Sequence, residues 1–453
     1  TGGYKTLLYY TKLQAHLPKG NVVTSGKIVI RRQLPPQLSL RVRVNDVSLQ
    51  QILQDIGFKN AVYGTVNGNL DIYGIVPKVH ASGTIAGKNV AVKGFSVDNV
   101  GLTISYRNGQ AFITQLSVIK DSGSITGQGA IAPEGTIDIN LVGKNLKLDW
   151  FSEYLGPYID LEGPVNFVGN IQGHYQDPLI KGKISSSAPI VNHQSFDKLT
   201  SSLTLSRKKL LLSNTTLIAD EAIYQISALT FTPRTLYFRM TGSATSIEIA
   251  KVVSLLRNSP FLNTPQGIRL RKSLENVPLQ LTGKANVSFR LSGPTERLTG
   301  TATVIGKDIR MGPNIVSNAE ISLNILGSSV SKINVELKSP KIEVWGTAEF
   351  HKGKAKKVNL EITDTAIEAV TAVAESLPIV YQYRVGKIFT TFMQQAKNTT
   401  GTIDATVNLS NLQEEPTGSV TVSASRVISN GSPLGDIMVN AHLLHRKIFL
   451  DKL

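Results

Sequence analysis

Four segments of the chain align without gaps: GTVNGNLDIYG at Gly64–Gly74, GPVNFVGNIQG at Gly163–Gly173, GKANVSFRLSG at Gly283–Gly293 and GTIDATVNLSN at Gly401–Asn411. Their starts are 99, 120 and 118 residues apart. The even positions after the first glycine hold Val66, Gly68, Leu70 and Ile72; then Val165, Phe167, Gly169 and Ile171; then Ala285, Val287, Phe289 and Leu291; then Ile403, Ala405, Val407 and Leu409. The odd positions are nearly all polar, and the third is Asn67, Asn166, Asn286 or Asp404. Strict period-two alternation predicts a strand with one apolar and one polar face. Four copies in register predict a repeated architecture. Three copies end in Gly and the fourth in Asn, the residue that next best tolerates a left-handed turn.

A second strand follows each copy. A proline (Pro77, Pro178, Pro294 or Pro416) leads to a glycine (Gly83, Gly182, Gly300 or Gly418), and two residues on stand Ile85, Ile184, Ala302 and Val420. Alternating runs at Leu102–Tyr106 and Ala111–Val118 flank Asn108-Gly109, a strong hairpin signal. Each repeat therefore reads as a meander of about five or six antiparallel strands. A short helix is expected before each copy: Leu49–Ile56 capped by Ser48, Trp150–Leu155 capped by Asp149, and Ile247–Leu256 capped by Ser246. The last helix opens at Asp364 with an Ile367, Val370, Val373, Leu377 stripe, breaks at Pro378, and continues as Val385, Ile388, Phe389, Phe392. These helices are expected to cover one edge or end of the sheet.

The resulting division has five segments: 1–44, the end of a preceding repeat; 45–143, repeat one; 144–243, repeat two; 244–361, repeat three with a basic loop; and 362–453, repeat four with a long helical segment. The chain opens on Thr1 and closes at Leu453 inside an alternating run, so it reads as part of a longer protein. No run of about 18 apolar residues predicts a membrane-spanning helix.

The expected fold is all-β with short helices: an elongated, curled antiparallel sheet forming an open groove. About 20 strands at roughly 4.8 Å spacing would make a ribbon roughly 100 Å long. Its apolar side must be covered by a second sheet, by closure on itself, or by a ligand. Medium and small lining residues, aromatics at only 6%, and helices too short to cover the faces lean towards ligand. Acyl chains would suit it, since a buried 16-carbon chain is worth on the order of 12 kcal/mol. The candidate lining is Val66, Leu70, Ile72, Ile85, Val165, Phe167, Ile171, Ile184, Ala285, Val287, Phe289, Leu291, Ala302, Ile403, Ala405, Val407, Leu409 and Val420. A charge at Phe167 or Phe289 is expected to impair lipid passage and leave folding largely intact; unfolding by either change would mark that face as an ordinary core. A closed structural or adhesive repeat protein with a dry core is the second reading. A carbohydrate-active β-helix enzyme is the third.

Signals for chemistry are few. The chain has no cysteine, which removes disulfides, thiolate zinc sites and cysteine nucleophiles. Gly127-Gln-Gly129-Ala-Ile-Ala132 matches a dinucleotide fingerprint but runs into the turn Pro133-Glu134-Gly135 rather than a helix. His442 and His445 are three apart, which sends them to opposite faces of a strand. Asp220-Glu221 and Glu414-Glu415 are adjacent and so diverge. No catalytic, metal or cofactor site is expected, and the chain reads as a non-enzyme. The net charge is +16. Basic runs at Arg207, Lys208, Lys209, at Arg269, Arg271, Lys272, and at Lys352, Lys354, Lys356, Lys357 suit anionic head groups. They lack the interleaved aromatics of a nucleic-acid surface.

The Gly-bounded strand, the Pro-then-Gly approach to the next strand, and the Lys-Asn-Leu-Lys-Leu-Asp lead at Lys144–Asp149 resemble the TamB and AsmA-like envelope proteins. The resemblance spans nearly the whole chain. It implies a repeating β-groove, bridge-like lipid-transfer protein in the periplasm of a diderm bacterium, often anchored by an inner-membrane helix. The implied activity is movement of phospholipids between inner and outer membranes, with phospholipid acyl chains as cargo. For TamB proteins it also implies a part in outer-membrane protein assembly beside a BamA-like barrel.

Overall fold

The computed structural model describes residues 5–17, 19–31, 34–51, 62–92, 95–151, 160–232, 235, 237–251, 281–294, 297–311, 314–327, 329–351, 354–370, 398–412, 415–445 and 447–452. It is 83% strand, which leaves room for little beyond turns and three short helices. The strands run β1 (Lys5–His16), β2 (Asn21–Arg31), β3 (Leu34–Ser48), β4 (Val62–Ile75), β5 (Lys78–Val92), β6 (Phe95–Arg107), β7 (Gln110–Lys120), β8 (Gly123–Ile131) and β9 (Thr136–Lys147). They continue as β10 (Leu161–Glu162), β11 (Pro164–His174), β12 (Leu179–Ser186), β13 (Ile190–Val191), β14 (Gln194–Ser195), β15 (Lys198–Leu205), β16 (Leu210–Ala219), β17 (Ala222–Thr232) and β18 (Tyr237–Glu248). The last ten are β19 (Leu281–Pro294), β20 (Thr299–Met311), β21 (Asn314–Leu326), β22 (Ser329–Ser339), β23 (Ile342–His351), β24 (Lys354–Ala366), β25 (Thr399–Ser410), β26 (Thr417–Ser429), β27 (Ser432–Leu444) and β28 (Lys447–Lys452).

Twenty-five strands belong to one antiparallel sheet that does not close into a barrel, and β10, β13 and β14 make a separate small sheet. The chain divides into two compact units. Unit 1 comprises Thr1–Leu148, Gly163–Ser187 and Thr200–Leu210; unit 2 comprises Asp149–Glu162, Ala188–Leu199 and Leu211–Leu453.

The aligned segments are β4, β11, β19 and β25, and the structure explains their recurring residues. Gly64, Gly163, Gly283 and Gly401 all have positive φ, as do the closing Gly74, Gly173, Gly293 and Asn411. Both ends of the segment therefore require a backbone that most side chains resist. The strand before each copy carries a bulge whose extra residue, Asp46, Asn145, Ser246 or Asp364, also lies in the left-handed region. The N–H of that residue donates to the side-chain oxygen of the copy's third residue: Asp46 to Asn67, Asn145 to Asn166 and Ser246 to Asn286 at 3.0 Å each, and Asp364 to Asp404 at 2.8 Å. A bulge leaves an N–H outside the ladder, and the conserved geometry of one Asn or Asp satisfies it four times. Asn108 and Gly109 both have positive φ between β6 and β7, as the hairpin signal required.

The helix starts differ from expectation. Helical residues begin at 49–51, at 249–251 and at 367–370, with a 3-10 turn at Leu148–Phe151. Ile247 is still in β18, and Ser246 and Asp364 are bulge residues rather than caps. Asp149 lies inside the 3-10 turn. The physical reason is that Ser246 and Asp364 take positive φ at the bulge and donate their backbone N–H to Asn286 and Asp404. The remaining parts of these helices, including the Val385 to Phe392 stripe, lie outside the described residues.

Candidate functional site: the apolar sheet face

Residues directly opposed in an antiparallel sheet share a face, so the register can be followed across each unit. In unit 1 one row runs Val42, Leu70, Gly83, Ile104, Ile113, Gly129, Ile139, Ile171, Ile180 from β3 to β12. A second runs Gly68, Ile85, Leu102, Leu116, Gly127, Leu141, Gly169, Gly182, and a third runs Val66, Gly87, Val100, Val118, Ile125, Gly143, Phe167, Ile184. Ile72 stands opposite Leu40 and Ala81, and Val165 opposite Leu146.

Unit 2 repeats the arrangement from β19 to β27. One row is Phe289, Ala302, Leu323, Ile333, Ala348, Val358, Leu409, Gly418, Leu443; the next is Val287, Val304, Ile321, Val335, Gly346, Leu360, Val407, Val420, Ala441. A third is Ala285, Gly306, Ala319, Leu337, Val344, Ile362, Ala405, Val422, Val439. Leu291 opposes Gly300, and Ile403 lies between Thr365 and Ala424. The structure thus brings every candidate lining residue onto one face of its own unit. No charged residue stands in these six rows.

Sequence reasoning missed the members on the intervening strands, such as Ile104, Ile139, Leu323 and Val358. Bulges reverse the alternation partway along a strand, so β24 turns Val358, Leu360 and Ile362 inward and then, after Thr363-Asp364, Thr365. The missed signal was an isolated Asn or Asp in a strand: Asp46, Asn89, Asn145 and Asp308 all have positive φ. Thr365 is fully buried but satisfied, its Oγ1 accepting from the Glu343 N–H at 2.9 Å and donating to a backbone carbonyl.

The face is not evenly covered. Each strand spans from a margin where helices begin, here the helix margin, to an opposite margin of hairpin turns, here the turn margin. Near the helix margin of unit 2, Ala285, Val316, Ala319, Leu337, Ile362 and Ala405 are buried. Ala369 and Ile249 pack against the Val316 group, and Val370 against Ile362 and Ala405. Towards the turn margin, Phe289, Leu323, Ile333, Val358 and Leu409 are only half-buried. In unit 1 Leu70, Ile72, Ile85 and Leu102 are half-buried, whereas Ile113, Ile139 and Leu141, further along the same rows, are buried. Among the described residues the extensive backbone contacts between elements join hydrogen-bonded neighbours.

Glycines on the face let large neighbours lie flat. The Phe167 ring lies over Gly169 and Gly182, with Cζ and Cε2 2.4 and 2.5 Å from where their Cβ atoms would be. Phe167 is 9% exposed, so it is built into the face rather than lining open space. A charge there therefore perturbs folding first, contrary to the sequence expectation. Leu323, half-buried in the middle of a row, is the better position for that test.

Electrostatics follow the margins. Lys147–Asp121, Lys251–Asp220, Lys284–Glu221 and Lys338–Glu343 are ion pairs at the helix margin. Lys284 holds the Glu221 carboxyl below the usual carboxylate range by hydrogen bond and charge. Partial burial pushes the Tyr224 hydroxyl up. Gly127 and Gly129 lie in β8, while His442 and His445 contact different carboxylates, Asp451 and Glu415. The structure does bring together Asp160, Glu162 and His193, which the sequence scattered over 34 positions, with His193 Nε2 3.7 Å from Asp160 Oδ2. On the polar face of unit 1 a shallow depression of about 330 Å³ overlies Asn69, Thr84, Thr103 and Gln115, its floor left low by Ala86 and Gly101. No helix among the described residues is long and apolar enough to cross a membrane. Comparison of the chain with protein-family models, curated proteins and solved structures finds no match.

Proposed function

We propose that this protein is a lipid conduit of the TamB and AsmA-like kind, in which the apolar face lines an open groove for phospholipid acyl chains. The observation that carries the reading is the set of continuous, charge-free apolar rows in each unit, left half-exposed away from the helix margin in unit 2 and over β4 to β6 in unit 1. A face of that size would be a liability in water unless something apolar covers it. The rows hold no polar group that would fix one ligand, which suits movement along the face better than storage. On this reading the protein is not an enzyme, and it works in the envelope of a diderm bacterium between inner and outer membranes, full-length forms being membrane-anchored. The part in outer-membrane protein assembly beside a BamA-like barrel is proposed on the sequence resemblance alone. A closed, dry-cored structural repeat is less well supported, because the sheet does not close into a barrel.

Native mass spectrometry of the purified chain, with organic extraction of the same sample, tests the reading. Several phospholipids of mixed identity per chain are expected, and Leu323→Asp should reduce their number while strand content by circular dichroism is retained. A lipid-free, soluble, monomeric chain would overturn the proposal in favour of faces that bury one another.

A further inference from the structure

The two margins of the apolar face differ in charge as well as in cover. In unit 1 the turn margin carries Arg31, Lys78, Arg107, Lys181, Arg207, Lys208 and Lys209 against Glu134, Asp138 and Asp177. In unit 2 the described turn-margin residues include Arg297, Lys356, Lys357 and Lys447, against Glu349 and Glu415. None of these cations is ion-paired with a described residue, whereas the four lysines ion-paired among the described residues stand at the helix margin, beside further lysines such as Lys307 and Lys341. Each unit thus pairs the open side of its apolar face with unpaired positive charge.

We propose that the turn margin selects anionic lipids. The acyl chains lie along the strands over the half-buried rows, and the headgroup phosphate meets the basic turns. This rests on the conduit reading and adds an orientation and a headgroup preference to it. Dimensions agree. From Ile321, the first half-buried row member on β21, to Leu326 at the turn is five residues, or about 17 Å at about 3.4 Å per residue. One leaflet of a bilayer is about 15 Å of hydrocarbon, half of about 30 Å. A chain laid with its methyl end near Ala319, where the helices close the face, therefore brings its headgroup to the turn. The opposite orientation would set an anionic head at the helix margin, where the carboxylates of Asp220, Glu221, Asp308 and Asp364 offset Lys251, Lys284, Lys307 and Lys341. Cations attract an anionic headgroup, so reversing two or three of them should cost tenfold or more in affinity.

The test uses the full chain and two probes, phosphatidylglycerol and phosphatidylcholine, each with a fluorophore on an acyl chain and offered from vesicles of otherwise identical lipid. The native chain should take up phosphatidylglycerol in at least tenfold preference. The variants Arg207→Glu/Lys208→Glu/Lys209→Glu in unit 1 and Lys356→Glu/Lys357→Glu in unit 2 should lose that preference and keep phosphatidylcholine uptake. Lys307→Glu/Lys341→Glu at the helix margin should change neither, since net charge alone is not the cause. Equal uptake of both lipids by the native chain, or equal effects from the two margins, overturns the inference while leaving the conduit reading intact. Uptake of neither lipid overturns both.

Discussion

Replacing Phe167 with alanine measures how the apolar face holds itself together. The ring fills its own position on β11 and the space above Gly169 and Gly182, on β11 and β12. Losing a buried Phe side chain costs about 3–5 kcal/mol, part of it for the cavity left behind. Water can enter this site from the half-exposed side, which relieves the cavity part, so the expected loss is near the lower end, about 3 kcal/mol. The neighbours cannot repair it. A Cβ on Gly182 would stand 2.5 Å from the Val168 carbonyl oxygen, and one on Gly169 2.2 Å from that of Lys181. Both obstacles are backbone, which does not yield as a side chain does. Amide hydrogen exchange resolves such local openings. Amides of β9, β11 and β12 should exchange a little over a hundredfold faster, because about 1.4 kcal/mol is a factor of ten. Amides of β20 to β23 in unit 2 should keep their rates. A change under about 1 kcal/mol, within the range of an ordinary substitution, would refute the reasoning. So would restoration of protection by adding Gly182→Ala.

The bulge clamp gives a paired expectation. Asn286→Ala should cost about 1 kcal/mol in denaturant unfolding, the net worth of one hydrogen bond, whereas Asp404→Asn should be neutral, since the amide oxygen can accept the Asp364 N–H as it does in the other three copies. Two glycines should behave oppositely. Gly83→Ala places a Cβ 1.9 Å from the Asn69 carbonyl oxygen and should destabilise by about 1–3 kcal/mol, while Gly327→Asn, at φ +61 with open space around it, should leave the melting temperature unchanged. Burial raises the Tyr224 hydroxyl pKa in the folded state. The stability linked to it is present below the ordinary tyrosine range and is lost as the pH rises through the raised value. The difference in absorbance titration between the native chain and Tyr224→Phe should show one tyrosine ionising above that range, and a difference centred within it would refute the cause.

The alternation in the four aligned segments was enough to place β4, β11, β19 and β25 and to orient their side chains, because period two leaves a strand no other way to bury one face. Their boundary glycines, and Asn411 in place of the last, were legible for the same local reason: only such residues accept the backbone those ends need. The Asn or Asp at the third position was visible as a pattern but not as a mechanism, since its partner is a bulge N–H on the preceding strand, 21 to 40 residues away. The inward residues of the intervening strands were hidden for a related reason. A bulge shifts the alternation by one, and whether an Asn in a strand marks a bulge or an exposed side chain depends on the strand beside it. Ser246 and Asp364 looked like helix caps because a cap and a bulge ask for the same small polar residue. What only the tertiary structure decided is the distribution of cover and charge over the face. Burial near Ala319 and Ala405 comes from helical residues that contact strands far along the chain. The grouping of Lys78, Arg107 and Arg207 on one margin follows from the hairpin order, which brings every second turn to the same side.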